Sequence, residues 1–307
     1  MKTEDDTPEL PRGIALAWGV ATHPQRGPKR ELSIEGIVDA AIDIADAGGL
    51  GSVSMSSVAA RLGFTTMSLY RYVSAKDDLI LLMQEYGIGV PPSDGTPANW
   101  REALAGWHAY ALAMYSAHPW LLDIPINGVP MTPNNLAWLD AALDALADTP
   151  LSEHQRLAAA LAVTGHSRWQ AMIERGYAEA STRAGIASAD FDRLEERILA
   201  SLATPDRFPA VHRTIAAGAM GPESGEDPFQ FGLHAILNGI EAVMTGGAIP
   251  PQPQALPDGH FPKDKAVREA ARLRRDAEVR LREARRRERE AITTARERAA
   301  KATEKRG

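Results

Sequence analysis

Residues 53 to 76, VSMSSVAARLGFTTMSLYRYVSAK, constrain the fold more than any other stretch of this chain. Ser54 is placed to cap a short helix, because a serine hydroxyl accepts a hydrogen bond from the free backbone N–H groups at a helix start. Gly63 then ends that helix, since glycine tolerates the positive φ that a tight turn requires. Within this predicted helix the apolar residues recur at three- and four-residue spacing: Met55, Val58, Ala59 and Leu62.

A second short helix is predicted directly after the turn. Thr65 is placed to cap it, and Phe64 and Leu69 occupy the two positions of a hydrophobic staple. Leu69 and Val73 form its inward stripe. Two short helices joined by a glycine-containing turn predict a helix-turn-helix, whose second helix enters the major groove of DNA.

The outward face of the second helix argues against the alternative, an ordinary small helical hairpin. Its only charged residue is Arg71, and its other side chains are mostly small hydroxyl or aromatic groups. A solvated surface would normally carry lysine and glutamate, whereas this face suits base edges and phosphates. We therefore predict direct base readout by Thr66, Met67, Ser68 and Arg71.

A third helix is predicted from Ser74 to about residue 86, with Ser74 as its cap and Asp77 as the capping partner. Lys76 falls in its first turn, where a positive charge opposes the helix dipole. A DNA phosphate at that place would favour both the lysine and the dipole. We therefore predict Lys76 as a phosphate contact, with an ordinary surface lysine as the alternative.

Residues 33–80 resemble the N-terminal domain of the TetR (tetracycline repressor) family of transcriptional regulators. The resemblance rests on IVDAAIDIADAGGL, on SMSSVAARLG and on TTMSLYRYVSAKDDL, with Leu69, Tyr70, Tyr72, Val73, Lys76 and Leu79 at the family's spacing. Residues 99–247, which include NWREALAGWHAYALAMYSAHPWLL, more loosely resemble the TetR-type C-terminal ligand-binding domain. The expected fold is all-α, with a three-helix helix-turn-helix domain before a larger helical ligand-binding and dimerisation domain.

The resemblance also implies partners and residue roles. It implies a homodimer held by its last helices, a palindromic operator in double-stranded DNA, and a small-molecule effector that releases a repressor. A palindrome requires two recognition helices about 34 Å apart, which a dimer supplies. The sequence does not distinguish a repressor from an activator. By motif position, phosphate contacts fall to Tyr70, Lys76 and Ser56, and the DNA-binding set is completed by Thr65, Thr66, Met67, Ser68, Arg71 and Tyr72.

The predicted helix over residues 99–118 carries a broad stripe of aromatic and apolar residues. Such stripes are usually core, but polar-tipped aromatic residues with a few hydrogen-bonding groups also line pockets for organic ligands. A lone histidine is more often a core or rim residue than a ligand contact. With those alternatives open, the predicted effector site consists of Trp107, His108, Tyr110, Met114, Trp138, His166 and Trp169.

Charge and proline content divide the rest of the chain. An extended arm is predicted to carry a basic cluster (Arg26, Lys29, Arg30) that is either a solvated linker or a DNA contact. The charged tail has 17 Lys and Arg against 9 Asp and Glu from residue 261 onward, and is either a plain extension or an aid to non-specific DNA binding. The predicted divisions are arm 1–32, DNA-binding domain 33–87, ligand-binding domain 98–248, proline-rich linker 249–262 and helical tail 263–307.

Several classes of protein are disfavoured by what the sequence lacks. No apolar run is long enough for a membrane span, and the N-terminus has no signal-peptide pattern. The chain has no cysteine, which fits a reducing cytoplasm. No phosphate-binding glycine loop, metal-ligand spacing or nucleophile–base pair is present, so we expect no cofactor, no metal and no catalytic residue. A helical scaffold that works through the charged tail, or a helical enzyme, are the alternatives to a DNA-binding regulator.

Overall fold

The computed structural model describes residues 10–20, 32–92, 97–126, 128, 131–221, 225, 227–247 and 264–304. The chain forms two units, residues 1–248 and 249–307, and each is described by itself. The described residues form helices and no strand, which confirms the all-α prediction. None of the helices in this part of the chain is long and apolar enough to cross a membrane.

The first unit contains eleven α-helices among its described residues, with 3₁₀ turns at Leu50–Ser52 and Pro119–Asp123. Its N-terminal helices are α1 Arg12–Ala17, α2 Ile34–Gly48, α3 Met55–Leu62, α4 Thr66–Leu69 and α5 Lys76–Ile88. The helices that follow are α6 Trp100–Ala117, α7 Pro133–Asp144, α8 Glu153–Ala184, α9 Ser188–Leu202, α10 Pro209–Ala216 and α11 Pro228–Met244. The second unit is α12, Lys265–Glu304.

The structure confirms the predicted caps Ser54 and Thr65 and departs from the third, Ser74. The hydroxyls of Ser54 and Ser152 each accept a hydrogen bond from the backbone N–H three residues on, and the side chain at that position accepts one from the N–H of the capping serine. The prediction that Ser74 caps the third helix is wrong. The chain remains extended through Ala75 (φ −147°, ψ 162°), so α5 begins at Lys76 and no side chain caps it.

The predicted extended arm contains a helix. Residues 12–17 form α1, which packs against α5. This packing buries Ile14 and Leu16 and so stabilises the helix. Gly13 faces α5 so closely that a Cβ there would lie 2.8 Å from an Asp78 carboxylate oxygen. Trp18 then donates from Nε1 to the carbonyl of Met131 at 2.8 Å. The basic cluster Arg26, Lys29 and Arg30 lies outside the described residues.

Two apolar cores hold the first unit together. The second core joins α6, α8 and α11 through Leu104, Val163 and Leu237, with Leu146 beside them. The first core belongs mainly to α2–α5, yet it also takes in Trp120 and its neighbours from the 3₁₀ turn: its buried members include Ile37, Val58, Leu69, Leu79, Trp120, Leu121 and Ile124. The DNA-binding domain is therefore not packed independently of the chain that follows it. The domain boundaries proposed from composition stay predictions.

Candidate DNA-binding surface and effector site

The turn between α3 and α4 has the conformation that the sequence requires. Gly63 adopts a left-handed conformation, with φ 74° and ψ 28°, and its N–H bonds to the end of α3. At the other end of α3, the Ser54 hydroxyl accepts from the Ser57 N–H at 3.0 Å. An ion pair of 2.6 Å between Arg61 and Asp43 fixes α3 against α2. Both ends of α3 are thus set by short-range interactions, as expected.

Helix α4 and the turn after it place their polar side chains outward, because Leu69 at the end of the helix and Val73 beyond it are fully buried. Leu69 and Val73 have no exposed surface, whereas Met67 is 71% exposed and Tyr70 44% exposed. Thr65 caps the helix as predicted, accepting from the Ser68 N–H at 3.3 Å. The α-helix spans only four residues. Helix α4 can therefore present about one helical turn of side chains to a DNA groove.

The predicted DNA-binding residues of this turn differ in availability. Arg71 is exposed, as are Met67 and Tyr70, and we refer to these three residues as the outer edge. Ser68 is partly engaged, since its hydroxyl lies 2.9 Å from that of Thr65. Thr66 is half-buried, and Tyr72 is half-buried and packs against the first core. The individual roles of these residues stay predictions.

Lys76 and Ser56 lie at the starts of two helices. Lys76 is the exposed first residue of α5, where no side chain caps the backbone N–H groups. Asp77 and Asp78 in the same turn already complement the helix dipole, so the charge at this end is mixed. Ser56 is exposed near the start of α3, and its hydroxyl lies 3.0 Å from that of Ser54.

His108 is the buried polar centre of the second domain. Its Nδ1 lies 2.8 Å from the Ser167 hydroxyl, which itself donates to the Val163 carbonyl at 2.8 Å. The Ser167 hydroxyl therefore bridges the His108 ring of α6 and the backbone of α8.

Burial sets the charge state of His108. Burial first, and then the neighbouring His166, lower the pKa of His108 below its usual value of 6.5, while Gln170 and Asp227 act in the opposite direction. Desolvation penalises the charged form of a histidine. The ring is therefore neutral at pH 7.

His166 brings a third helix to the same place. Its ring stacks on that of His108 with centroids 5.6 Å apart and an interplanar angle of 28°. Its Nε2 donates to the Phe229 carbonyl at 2.9 Å, so α6, α8 and α11 meet here. Gly232 makes this approach possible, since a Cβ there would lie 2.6 Å from the His166 ring.

Gln170 belongs to this group, although the sequence did not single it out. Its amide nitrogen donates to Glu174 at 2.8 Å, while its oxygen is buried without a hydrogen-bond partner. An unpaired buried polar atom costs free energy, so it marks a place where a ligand can gain affinity. The available signal was a polar residue on the same buried stripe of α8 as Val163 and Ser167.

The structure gathers only part of the predicted effector set around the two histidines. Trp107 donates from Nε1 to the Trp138 carbonyl at 2.9 Å, and Trp138 donates to the Gly89 carbonyl at 3.0 Å. The two tryptophans therefore join α6, α7 and the end of α5. Met114 packs against the first core. Tyr110 and Trp169 are exposed, Trp169 by 57%.

Comparison with known proteins decides the family. Residues 37–83 match "Bacterial regulatory proteins, tetR family", and residues 92–244 match "Tetracyclin repressor-like, C-terminal domain". The chain is 34% identical over 240 residues to the HTH-type transcriptional repressor DrrR1 of Streptomyces coeruleorubidus, covering 77% of this chain and 87% of that protein. The chain belongs to the TetR family. Apo ActR, a TetR-family protein of Streptomyces coelicolor, superposes with a TM-score of 0.58 at 25% identity, over 71% of this chain and 98% of ActR.

Membership of the TetR family confirms the regulator prediction. TetR proteins bind operator DNA as dimers and respond to small molecules. They are transcriptional regulators and not enzymes, so the enzyme alternative is wrong. Among the described residues, no cluster of histidine and acidic side chains is arranged to hold a metal ion.

Proposed function

We propose that this TetR protein is a cytoplasmic repressor that binds a palindromic operator as a homodimer and leaves it when an organic effector binds. One observation carries the DNA-binding part. Leu69 and Val73 are fully buried, and this anchoring turns Met67, Tyr70 and Arg71 outward on one edge. A buried anchor with an exposed polar edge is what a recognition helix needs in order to enter a major groove.

Base and phosphate contacts divide along that edge. Arg71 supplies the fork of donors that pairs with guanine, and Met67 supplies apolar contact with a thymine methyl group. Tyr70 and Lys76 hold phosphates, helped by the uncapped backbone N–H groups at the start of α5. Thr66 and Ser68, which are half-buried in the free protein, contact bases once the helix has entered the groove.

The effector site lies where α6, α8 and α11 meet. The Gln170 oxygen is a buried acceptor without a hydrogen-bond partner, so an effector that brings a hydrogen-bond donor such as a hydroxyl group fits this site. The stacked rings of His108 and His166 favour a flat, conjugated molecule. ActR has been solved in complex with actinorhodin, at 25% identity and a TM-score of 0.56 to this chain, which makes actinorhodin the first probe.

One route connects this site to the DNA-binding helices through the 3₁₀ turn Pro119–Asp123. Arg168, next to Ser167 on α8, donates to the carbonyls of Leu122 and Ile124 at 2.8 and 2.9 Å. From the same turn, Trp120 donates to Asp46 at the end of α2 at 2.7 Å. A displacement of α8 is thereby passed to α2.

A second route runs through α7. The N–H of Asn134 donates to the Glu85 carboxylate at 2.8 Å, and its side-chain amide donates to the Glu85 carbonyl at 2.8 Å. Trp138 holds the Gly89 carbonyl just beyond α5. An effector that binds better to one arrangement of these helices shifts the population toward it, and α5 moves the recognition helix with it.

Selection of bound duplexes from a random DNA library tests the DNA-binding proposal. The wild-type chain is expected to enrich a palindrome, and Arg71→Ala is expected to lose the enrichment at one position of each half-site. Arg183→Ala, an exposed arginine near the end of α8, is the matched control and should enrich the same palindrome. Enrichment of the unchanged palindrome by Arg71→Ala would show that this edge does not read bases.

Titration of actinorhodin into the complex of protein and selected operator tests the effector site. We expect the wild type to release the operator at a lower actinorhodin concentration than the Gln170→Leu variant does. The change removes the buried acceptor and keeps the side-chain volume nearly constant. Equal sensitivity of the two proteins to a releasing effector would place the site elsewhere.

A further inference from the structure

Helix α12 carries a seven-residue repeat that lies beyond the TetR match, which ends at residue 244. Each repeat begins with arginine, an acidic residue and, in the first four repeats, alanine. The arginine positions are 268, 275, 282, 289 and 296, and the acidic positions are 269, 276, 283, 290, 297 and 304. The alanine positions are 270, 277, 284 and 291.

The repeat arranges charge in lines along the helix. Seven residues fall about 20° short of two full turns, so each set of positions stays near one face over several repeats. Neighbouring positions are about 100° apart, which places an arginine line beside an acidic line. The backbone of α12 is continuous from Lys265 to Glu304, a length of about 60 Å, and the arginine line from 268 to 296 extends over about 42 Å of it.

The two lines are neutralised unequally within the helix. Asp276, Glu283 and Glu297 each have a basic residue four positions later, the favourable orientation for an ion pair. Glu290 pairs with Arg286 at 3.8 Å. By contrast, positions 289 and 296 have no acidic residue three or four positions away in either direction. Residues 280–289, RLREARRRER, hold six arginines against two glutamates.

Pairing of two such tails as a coiled coil does not explain the repeat. The alanine line needs apolar partners three residues on, and after Leu273 those positions hold Arg280 and Arg287. Two tails joined along that seam would bring like charges together. The large apolar side chains described along α12 are exposed, Leu273 by 63%. The basic face of α12 is therefore the one that we expect to bind a partner.

We propose that α12 binds the phosphate backbone of double-stranded DNA without reading its sequence, and so adds a second contact to that of the recognition helix. DNA carries one negative charge per ~1.7 Å of axis, and each neutralised phosphate releases bound counterions. Residues 1–260 hold 17 basic against 31 acidic residues, whereas residues 261–307 hold 17 against 9. The C-terminal tail therefore supplies the net positive charge that residues 1–260 lack. A 60 Å helix matches roughly 18 base pairs of duplex.

Salt-dependent binding of a mixed-sequence duplex, longer than α12 and free of the selected palindrome, tests this proposal. Binding is followed by fluorescence anisotropy of the labelled duplex with the full chain. The variant replaces six arginines by glutamine, which keeps helix propensity: Arg280, Arg282, Arg285, Arg286, Arg287 and Arg289. We expect binding at least about tenfold weaker at low salt, and a slope of log K against log salt that is smaller by about 3 to 5.

The matched control changes charge in the opposite direction in the same helix. Glu269, Asp276, Glu283 and Glu290 are each replaced by glutamine, so the same residue type is introduced at four positions of the same helix. This control should bind the duplex more tightly than the wild type, with a steeper salt slope. Circular dichroism of both variants should show unchanged helix content.

Three results would overturn the proposal. One is an equal affinity and salt slope for the wild type and the six-glutamine variant. Another is a change in subunit association by that variant with no change in DNA binding, which would assign the repeat to a second copy of the chain. Tighter binding to a mixed-sequence RNA duplex than to DNA would assign it to RNA. Enrichment of the palindrome is a separate readout, since it depends on Arg71 and should persist in the six-glutamine variant.

Discussion

Gly87 lies where α5 passes the buried ring of Trp120. A Cβ at Gly87 would come within 2.9 Å of Trp120 Cη2, too close without movement of the indole or the helix. We expect Gly87→Ala to lower the free energy of unfolding by about 1–3 kcal/mol, as overpacked core sites do. Urea denaturation measures it. Gly106→Ala in α6, where a Cβ meets nothing within 4 Å, is the control and should be neutral or stabilising.

His108 makes the free energy of unfolding depend on pH in the mildly acidic range. Because burial lowers its pKa from 6.5 in the folded state, the unfolded chain takes up this proton first as the pH falls. The contribution of His108 is therefore zero well above pH 6.5 and destabilising below it. We expect His108→Asn, which keeps a donor near Ser167, to reduce the loss of thermal stability between neutral and mildly acidic pH. An unchanged pH dependence in the variant would contradict this.

At the scale of elements, the contact between α5 and α7 holds the DNA-binding helices in position. Asn134→Ala removes the 2.8 Å bond to the Glu85 carbonyl and should cost about 1 kcal/mol. If that energy positions α5, affinity for the selected operator should fall about fivefold. Asn135→Ala is the matched control, because its amide bonds at 2.7 Å to Thr132 of the same chain segment and not to α5. Equal operator affinities for the two variants would exclude a positioning role.

At the scale of the molecule, we expect a second subunit to cover a face of α8, which packs against α11, the last helix of the first unit. The exposed residues of α8 between positions 157 and 172 are all uncharged and apolar: Leu157, Ala158, Leu161, Ala162, Gly165, Trp169 and Met172. We expect Leu161→Arg to give a folded monomer that no longer binds the operator, because a desolvated charge opposes association. Light scattering after size exclusion measures the mass.

The control for the dimer prediction is Leu202→Arg on α9, where the leucine is 65% exposed. This variant makes the same chemical change on a different helix and should remain a dimer. A dimer that survives Leu161→Arg and dissociates with Leu202→Arg would place the subunit interface on α9.

The recognition unit was predictable because its determinants are local. Ser54 and Thr65 each bond to a backbone N–H three residues away, and Gly63 takes the positive φ that only glycine adopts readily. The burial of Leu69 and Val73 was predictable from their four-residue spacing, which places both on one side of a helical turn. The start of α5 escaped prediction, because both Ser74 and Ala75 precede a plausible first turn and the extended backbone at Ala75 decided between them.

By itself, then, the sequence determined helices α3 to α6, the caps Ser54 and Thr65, the helix-turn-helix and the family, since each depends on residues within a few positions of one another. Tertiary structure alone decided which polar side chains meet. His108 and Ser167 are 59 residues apart, Glu85 and Asn134 are 49 apart, and Trp18 and Met131 are 113 apart. A periodic pattern shows which side of a helix faces inward, but the partner depends on how distant helices cross. For that reason Trp107 and Trp138, predicted at the effector site, join α6 and α7 to α5, while Gln170 lies beside the two histidines.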